Sequence, residues 1–516
     1  MKSKTSTSGI SRREMIAAGT GAAGFTFLPA HVIGRGGATP PSEKLNLAFV
    51  GIGTRGALNL RELASLNQNV VALCDVDWRE RQFTPRPGAD PNRLGAAARS
   101  SPVLVATREY PKVKRYDDYR KMLDEMDKDI DGVVISTPDH THAVIALAAM
   151  KRRKHVYVEK NMCRTIEEAR RMMAFEKKYK VTVQVGNQGH CTEDTRLIVE
   201  WCRAGAIGDV KTVHLYRRET ASSPSPATPD GLPITYANIP KILAEQHPVP
   251  ENLRWDLFLG PAKFRGYNPA YHPNRWRAWL DFGTGALGDL LNHMLDAPFW
   301  ALNLGYPTQV EAHPEEGYDW KTNKEIYPWT GVTRFVFPAR GKMPAVEVYY
   351  HYGLFDFDKE MIPKPPGWKE GVDILGNIGG IMFGSQGAIT FGALFASDPR
   401  EASTGAPTNV TWGTKVKVRL WPPELDREFK RPAPTLPRPW NHWADWVESA
   451  KAGKPASSGT AYGGVLSEIA LIGTGANAEP GKVLEYDAKA GRFKNSEEAN
   501  NMVLKRTYRP GWELPS

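Results

Sequence analysis

The chain has 516 residues, of which 41% are hydrophobic and 24% charged, enough apolar material for two or three buried cores and too much for wholesale disorder. Its 47 glycines and 40 prolines show no collagen-like period and imply many turns and long ordered loops, while four cysteines without a C-x-x-C spacing are too few for a disulfide framework. The formal net charge of +10 falls to +7 once residues 1–43 are set aside. The one dense basic run, Lys151-Arg152-Arg153-Lys154, follows an apolar helical pattern over 143–150, where cations complement a helix C-terminus; it reads as a solvated helix end and argues against a nucleic-acid partner.

In chain order, Ser11-Arg12-Arg13-Glu14-Met15-Ile16 leads into a weakly apolar run ending near Leu28. This resembles a twin-arginine export signal, which implies the twin-arginine translocase as a partner and a periplasmic location, or a membrane-anchored one if the signal stays uncleaved. The run is too short to span a bilayer, and no later segment offers 18 consecutive apolar residues. From residue 45, buried strand patterns at 45–50, 70–74, 132–135, 156–158 and 182–185 alternate with helical patterns at 57–66, 141–150 and 165–179. Short apolar runs joined by helical crossovers predict a doubly wound parallel sheet. The stretch 79–112, rich in proline, reads as an insertion, with a helical pattern at 94–99.

After a helix over 194–204 the pattern turns to strands at 210–216, 332–336, 346–350, 381–383, 388–390 and 416–420, with closing helices over 440–452 and 465–478. The fold class is therefore α/β: an N-terminal Rossmann sheet, then a C-terminal α+β domain with an open, mostly antiparallel sheet. The expected divisions are 1–43 for signal and linker, 44–165 for the nucleotide domain and 166–516 for the substrate and oligomerisation domain. The proline-rich segment 222–250 reads as a lid, an oligomer arm or disorder.

Gly51, Gly53 and Gly56, with Thr54 and Arg55 between them, follow the first strand and open the first helix. Glycines at that junction let the backbone turn tightly and approach a pyrophosphate, which the helix N-terminus then receives. Asp75 ends the next strand, at the spacing for a carboxylate that binds the adenosine ribose and repels a 2′-phosphate, so NAD is favoured over NADP.

These glycines, with Ser136-Thr137-Pro138-Asp139-His140-Thr141-His142, Val158-Glu159-Lys160, Gly186-Asn187-Gln188-Gly189-His190 and the segment from Gly283 to His293, resemble the Gfo/Idh/MocA oxidoreductases. Asp289 and His293 are four residues apart on one helical pattern and share a face; taken alone, such a pair is more often a surface pair than a catalytic one. A carboxylate beside the imidazole favours the imidazolium. The resemblance implies that His293 removes a hydroxyl proton, that Asp289 binds substrate and orients the base, and that Lys160 stabilises alkoxide character. It also implies that Pro138, Asp139, His142, Glu159, Lys160 and Gln188 line the cofactor site. Asn161 stands where the family usually has proline, which relaxes the backbone after Lys160. His190, Tyr271, Arg275 and Trp276, with Asp289 and His293, are the candidate substrate-binding set, a buried aromatic loop being the alternative for 267–277. A metal site built on His140 and His142 lacks further ligands nearby, so no metal is expected.

Three functions remain open on the sequence. The first is an exported NAD-dependent oxidoreductase acting on a secondary hydroxyl of a sugar, polyol or related carbohydrate, with a tightly held cofactor. The second is an NAD-dependent redox-neutral glycosidase working through a transient keto-sugar. The third is a non-catalytic NAD- or sugar-binding scaffold. A homodimer or homotetramer follows from the resemblance.

Overall fold

The computed structural model describes residues 43–79, 102–218, 234, 236–273, 275–353, 362–369, 378–392 and 418–516. The export-signal reading, the helical pattern at 94–99 and the first part of the proline-rich segment lie outside them. The described residues from 45 onward belong to one compact unit. Among the described residues no helix is long and apolar enough to cross a membrane.

The first sheet has six parallel strands, β1 Asn46–Val50, β2 Asn69–Cys74, β3 Lys114–Tyr116, β4 Gly132–Ile135, β5 His155–Glu159 and β6 Val183–Gly186, in the order β3-β2-β1-β4-β5-β6. The strand order reverses between β1 and β4, and in such sheets the ligand crevice opens at their carboxyl ends. This is the doubly wound sheet that the sequence predicts. It runs to Gly186, so a boundary at residue 165 leaves its last strand outside. The short edge strand β3 went unforeseen because Lys114 and Arg115 are exposed and only Tyr116 is buried. The crossover helix Asp139–Lys151 is buried on nearly every side, whereas Ile166–Tyr179 is amphipathic and opens with a capping box between Thr165 and Glu168.

The second sheet has nine strands: β7 Val210–Arg218, β8 Gln309–Pro314, β9 Gly331–Phe337, β10 Val346–Gly353, β11 Ile378–Gly384, β12 Ala388–Gly392, β13 Val418–Trp421, β14 Leu484–Asp487 and β15 Arg492–Phe493. They run in the order β13-β12-β11-β7-β10-β9-β8-β14-β15, antiparallel except for the central β7 and β10. Val213 and Leu215 of β7, Val348 and Tyr350 of β10 and Phe335 of β9 point to one face, where Leu287, Leu291 and Leu295 of helix Gly285–Ala301 complete the core. Helix Val465–Ala476 packs beside it, and Gly473 permits the approach, since a Cβ there would lie 2.4 Å from Leu287.

The chain then returns to the first sheet. Helix His442–Ala452 buries Trp443 and Trp446 against Leu47, Phe49, Val134 and Tyr157. A Cβ at Gly132 would lie 3.1 Å from the Trp446 ring, so the strand gives up its side chain to admit the indole. This late helix thus closes a face of the nucleotide sheet, although the sequence reading placed it wholly with the second domain.

A loop near residue 436 is fastened to helix Glu193–Arg203 through Glu200, whose carboxylate accepts from two Arg438 nitrogens at 2.7 Å and from the Thr435 and Leu436 amides at 2.6 and 2.8 Å. The Arg438 hydrogen bonds hold the Glu200 carboxyl down to about 2, from an ordinary 4.5, against the opposing effect of burial. A depressed carboxyl contributes stability that is complete above the unfolded value and lost as pH falls through the folded one. Thermal melts of the wild type should therefore lose stability between pH 4.5 and 2 through this group, and Glu200→Gln should melt lower at neutral pH with a flatter profile in that window. Profiles that stay parallel would contradict the assignment.

Candidate active site

Gly51 turns the chain after β1 with φ +80°, and its amide donates to the Cys74 carbonyl at 2.8 Å. A Cβ on Gly56 would lie 1.9 Å from the Gly51 oxygen, and one on Gly51 2.8 Å from Ser136, so neither position admits a side chain. Gly53 has nothing within 4 Å of its would-be Cβ, which leaves an open approach to the loop. Thr54 is exposed at the start of helix Thr54–Ser65. Arg55 carries a buried guanidinium nitrogen with no hydrogen-bond partner among the described residues. Asp75 accepts from the Ile52 amide at 2.7 Å and the Asp77 amide at 2.9 Å, which ties the end of β2 to the glycine loop. Arg79 pairs with Asp77 through Nε and one terminal nitrogen, each at 2.7 Å. The orphaned Arg55 nitrogen, the open glycine and the strand-end carboxylate fit NAD.

Beneath the loop lies a polar network. Glu159, at the end of β5, accepts from Asn59 at 2.9 Å and from Gln188 at 2.8 Å, and Gln188 also donates to the Tyr157 hydroxyl at 2.9 Å. Asn59 in turn donates to Ser136 at 2.9 Å and accepts from the returning Trp443 at 3.0 Å. Glu159 and Gln188, expected to touch cofactor, thus hold each other, and Asn59, which the sequence reading passed over, joins them. His142 is buried with its ring nitrogens 2.8 Å from the carbonyls of Thr137 and Asn161, and His140 faces the Phe258 carbonyl at 2.9 Å. Asp139, next to Pro138 at the helix start, accepts from Thr284 at 2.5 Å, and burial raises its carboxyl above the ordinary range.

The groups expected to react meet where the end of β5 faces helix Gly285–Ala301. Lys160 donates to the Asp289 carboxylate at 2.9 Å and also to its backbone carbonyl. Arg277 donates to the same carboxylate oxygen at 3.0 Å, and an Arg217 nitrogen lies 3.8 Å from the other. Burial alone would raise the Asp289 carboxyl, but these three cations hold it well below the ordinary range. Burial lowers the Lys160 ammonium, with Arg277 adding to the effect and Asp289 opposing it. His293 sits one turn on, buried. Burial, then Lys160 and Arg55, push its imidazole well below 6.5, and Asp289 is too committed elsewhere to reverse this. Among the described residues the Asp289 carboxylate bonds to Lys160 and Arg277. The Asn161 side chain donates to the Cys163 carbonyl at 3.0 Å and accepts from Asn292 at 3.2 Å, so the residue after Lys160 is tied down on both sides.

Other expected substrate contacts are placed differently. Tyr271 is core: Trp255, Trp279 and Phe282 rings pack around it, with the nearest centroid 4.6 Å away. His190 is buried against Trp300 and Tyr462 and pairs with Asp296 at 2.8 Å, three residues beyond His293. Arg275 donates to the Pro273 carbonyl at 3.3 Å. Trp276 lies under the Arg277 guanidinium at 4.4 Å. Arg217 was missed, although Val213, Leu215 and Arg217 alternate onto one strand face, and a cation that continues an apolar face is a readable sign of a site.

A glycine loop on a doubly wound sheet, facing a second-sheet helix that carries carboxylate and imidazole, defines a two-domain dinucleotide-binding class. Residues 45–187 match the NAD-binding Rossmann fold of the Gfo/Idh/MocA oxidoreductase family and residues 230–304 its C-terminal alpha/beta domain. Over these two stretches the chain is similar to this family. It is 27% identical to inositol 2-dehydrogenase of Salmonella typhimurium over 191 residues, 36% of this chain and 50% of that one. It is 34% identical to a glycosyl hydrolase family 109 protein of Stenotrophomonas maltophilia over 147 residues, 27% of each. The matched part thus spans half or less of these curated relatives. The aldose-aldose oxidoreductase of Caulobacter crescentus, solved with glycerol, shares the fold at 16% identity, with 86% of this chain and 100% of that one covered and a TM-score of 0.51.

Gly56→Ala should abolish calorimetrically measurable NAD binding, because its methyl group would collide with the Gly51 carbonyl. Gly53→Ala should fold like the wild type yet weaken NAD; unchanged affinity in both variants would place the nucleotide elsewhere.

Proposed function

We propose that this protein oxidises a secondary hydroxyl of a sugar, polyol or related carbohydrate, passing hydride to a tightly held NAD. The observation that carries this reading is the convergence of Lys160, Asp289 and His293 beside the glycine loop, close enough that Arg55 acts electrostatically on both Lys160 and His293. Bound there, NAD supplies the acceptor for the hydride.

The chain's own residues do the rest. His293, neutral in its buried site, has a lone pair to accept the hydroxyl proton as the carbon gives up hydride and becomes a ketone. Its lowered basicity delays that transfer until negative charge develops on oxygen. The Lys160 ammonium, fixed by Asp289, stabilises that charge, and water is largely excluded around it. Asp289 acts by positioning Lys160 and Arg277.

The likeness to a glycosyl hydrolase family 109 protein keeps redox-neutral glycoside cleavage as the second reading, because the same hydride and proton positions would serve a transient keto-sugar. The twin arginines at Arg12 and Arg13 extend the proposal to export of the folded protein. Assembly as a homodimer or homotetramer is part of it too.

The test is a panel of sugars, polyols and glycosides on the NAD-loaded protein, with reduced nicotinamide and substrate loss followed together. Reduced cofactor should form in step with substrate loss, and His293→Ala and Lys160→Ala should each lower kcat by about 10²- to 10⁴-fold. Cleavage without net reduction, abolished by stripping NAD, would install the glycosidase reading. In the pH profile of kcat/KM the acid limb should fall below pH 6.5 and the alkaline limb below 10.5, because both His293 and Lys160 are shifted down. An acid limb at or above 6.5 would rule out His293 as the base.

A further inference from the structure

Three cations stand around the Asp289 carboxylate. Lys160, Arg277 and Arg217 all face one carboxylate, where a single cation would suffice for pairing. Arg277 is the informative member. It spends only its Nε on Asp289, at 3.0 Å, and its two terminal nitrogens make no hydrogen bond to any described residue. The guanidinium carbon lies 4.4 Å over the Trp276 ring. Stacking on one face and the Nε bond on one edge fix the plane of the group before any ligand arrives. The side chain is 36% exposed, so the terminal nitrogens are open to an incoming molecule.

Two coplanar donors held in this way match the two oxygens of an oxyanion better than a lone hydroxyl. Lys160 shares the Asp289 carboxylate oxygen with Arg277, so that carboxylate is divided between two cations where the Arg277 fork is presented. We infer that the substrate is an anionic sugar whose carboxylate or phosphate oxygens are received by the Arg277 terminal nitrogens, beside the carbon that reacts against Lys160 and His293. This rests on the carbohydrate reading above and names its substrate class.

The experiment compares D-galacturonate with D-galactose, D-gluconate with D-glucose, and D-glucose 6-phosphate with D-glucose, on the NAD-saturated full chain, by calorimetry, with reduced nicotinamide recorded in parallel. At least one anionic member should bind at least about tenfold more tightly than its neutral counterpart. The acid that gains identifies the carboxylate or the phosphate as the group read. Arg277→Gln should erase the preference, and Arg277→Lys, which keeps the charge but loses the fork, should retain only part of it. Equal binding within every pair, or a preference that survives Arg277→Gln, overturns the inference. Selective binding of an acid with no reduced nicotinamide from any sugar would leave the inference standing and count against the dehydrogenase alone. Turnover of neutral sugars without acid preference would do the reverse.

Discussion

Asp289 holds together groups that the chain delivers from three directions: Lys160 from the end of β5, Arg277 from the turn before its own helix, and Arg217 from the last residues of β7. Each of these cations is expensive to bury alone, and a shared carboxylate is what makes their closeness tolerable. Remove that carboxylate and three like charges face one another. The placement of helix Gly285–Ala301 therefore sets more than the position of two side chains. It also brings Asp289 to Lys160, which follows the last residue of β5 in the nucleotide sheet.

The same arrangement explains the electrostatic state of His293. An imidazole beside one free carboxylate would gain basicity; beside a carboxylate already claimed by lysine and arginine it loses basicity to burial and to the surplus cations. The same surroundings thus push the His293 imidazole down and the Asp289 carboxyl down together. Such pre-organisation lowers barriers because no dipoles need to reorient as charge develops.

Much of this was legible from residue order. The glycine loop, the strand-end Asp75, the lysine after β5 and the Asp289/His293 spacing each depend on local geometry, which sequence spacing encodes directly. What was not legible depends on long-range choices. Asp289 and His293 share a helical face, but which neighbour the carboxylate takes is decided by Arg217 and Lys160, 72 and 129 residues away in the chain. Tyr271 has the composition of a sugar platform, and only the packing of Trp255, Trp279 and Phe282 around it reveals core. The second sheet's long strands were readable from alternation, whereas β3 and β15 are too short and too exposed to carry a pattern.

The returning helix His442–Ala452 has a bearing on how the molecule is made. Trp443 reaches Asn59 across 384 residues, and Trp446 covers strands that leave the ribosome among the first. Synthesis at about 5–20 residues per second then leaves that apolar surface uncapped for tens of seconds after β6 is complete. During that interval the early strands present sticky faces with no native partner yet in existence, so vectorial folding cannot finish the nucleotide half first. A chaperone that shields the early sheet would act on this stage, and a fragment ending near Gly186 would inherit the exposed surface permanently.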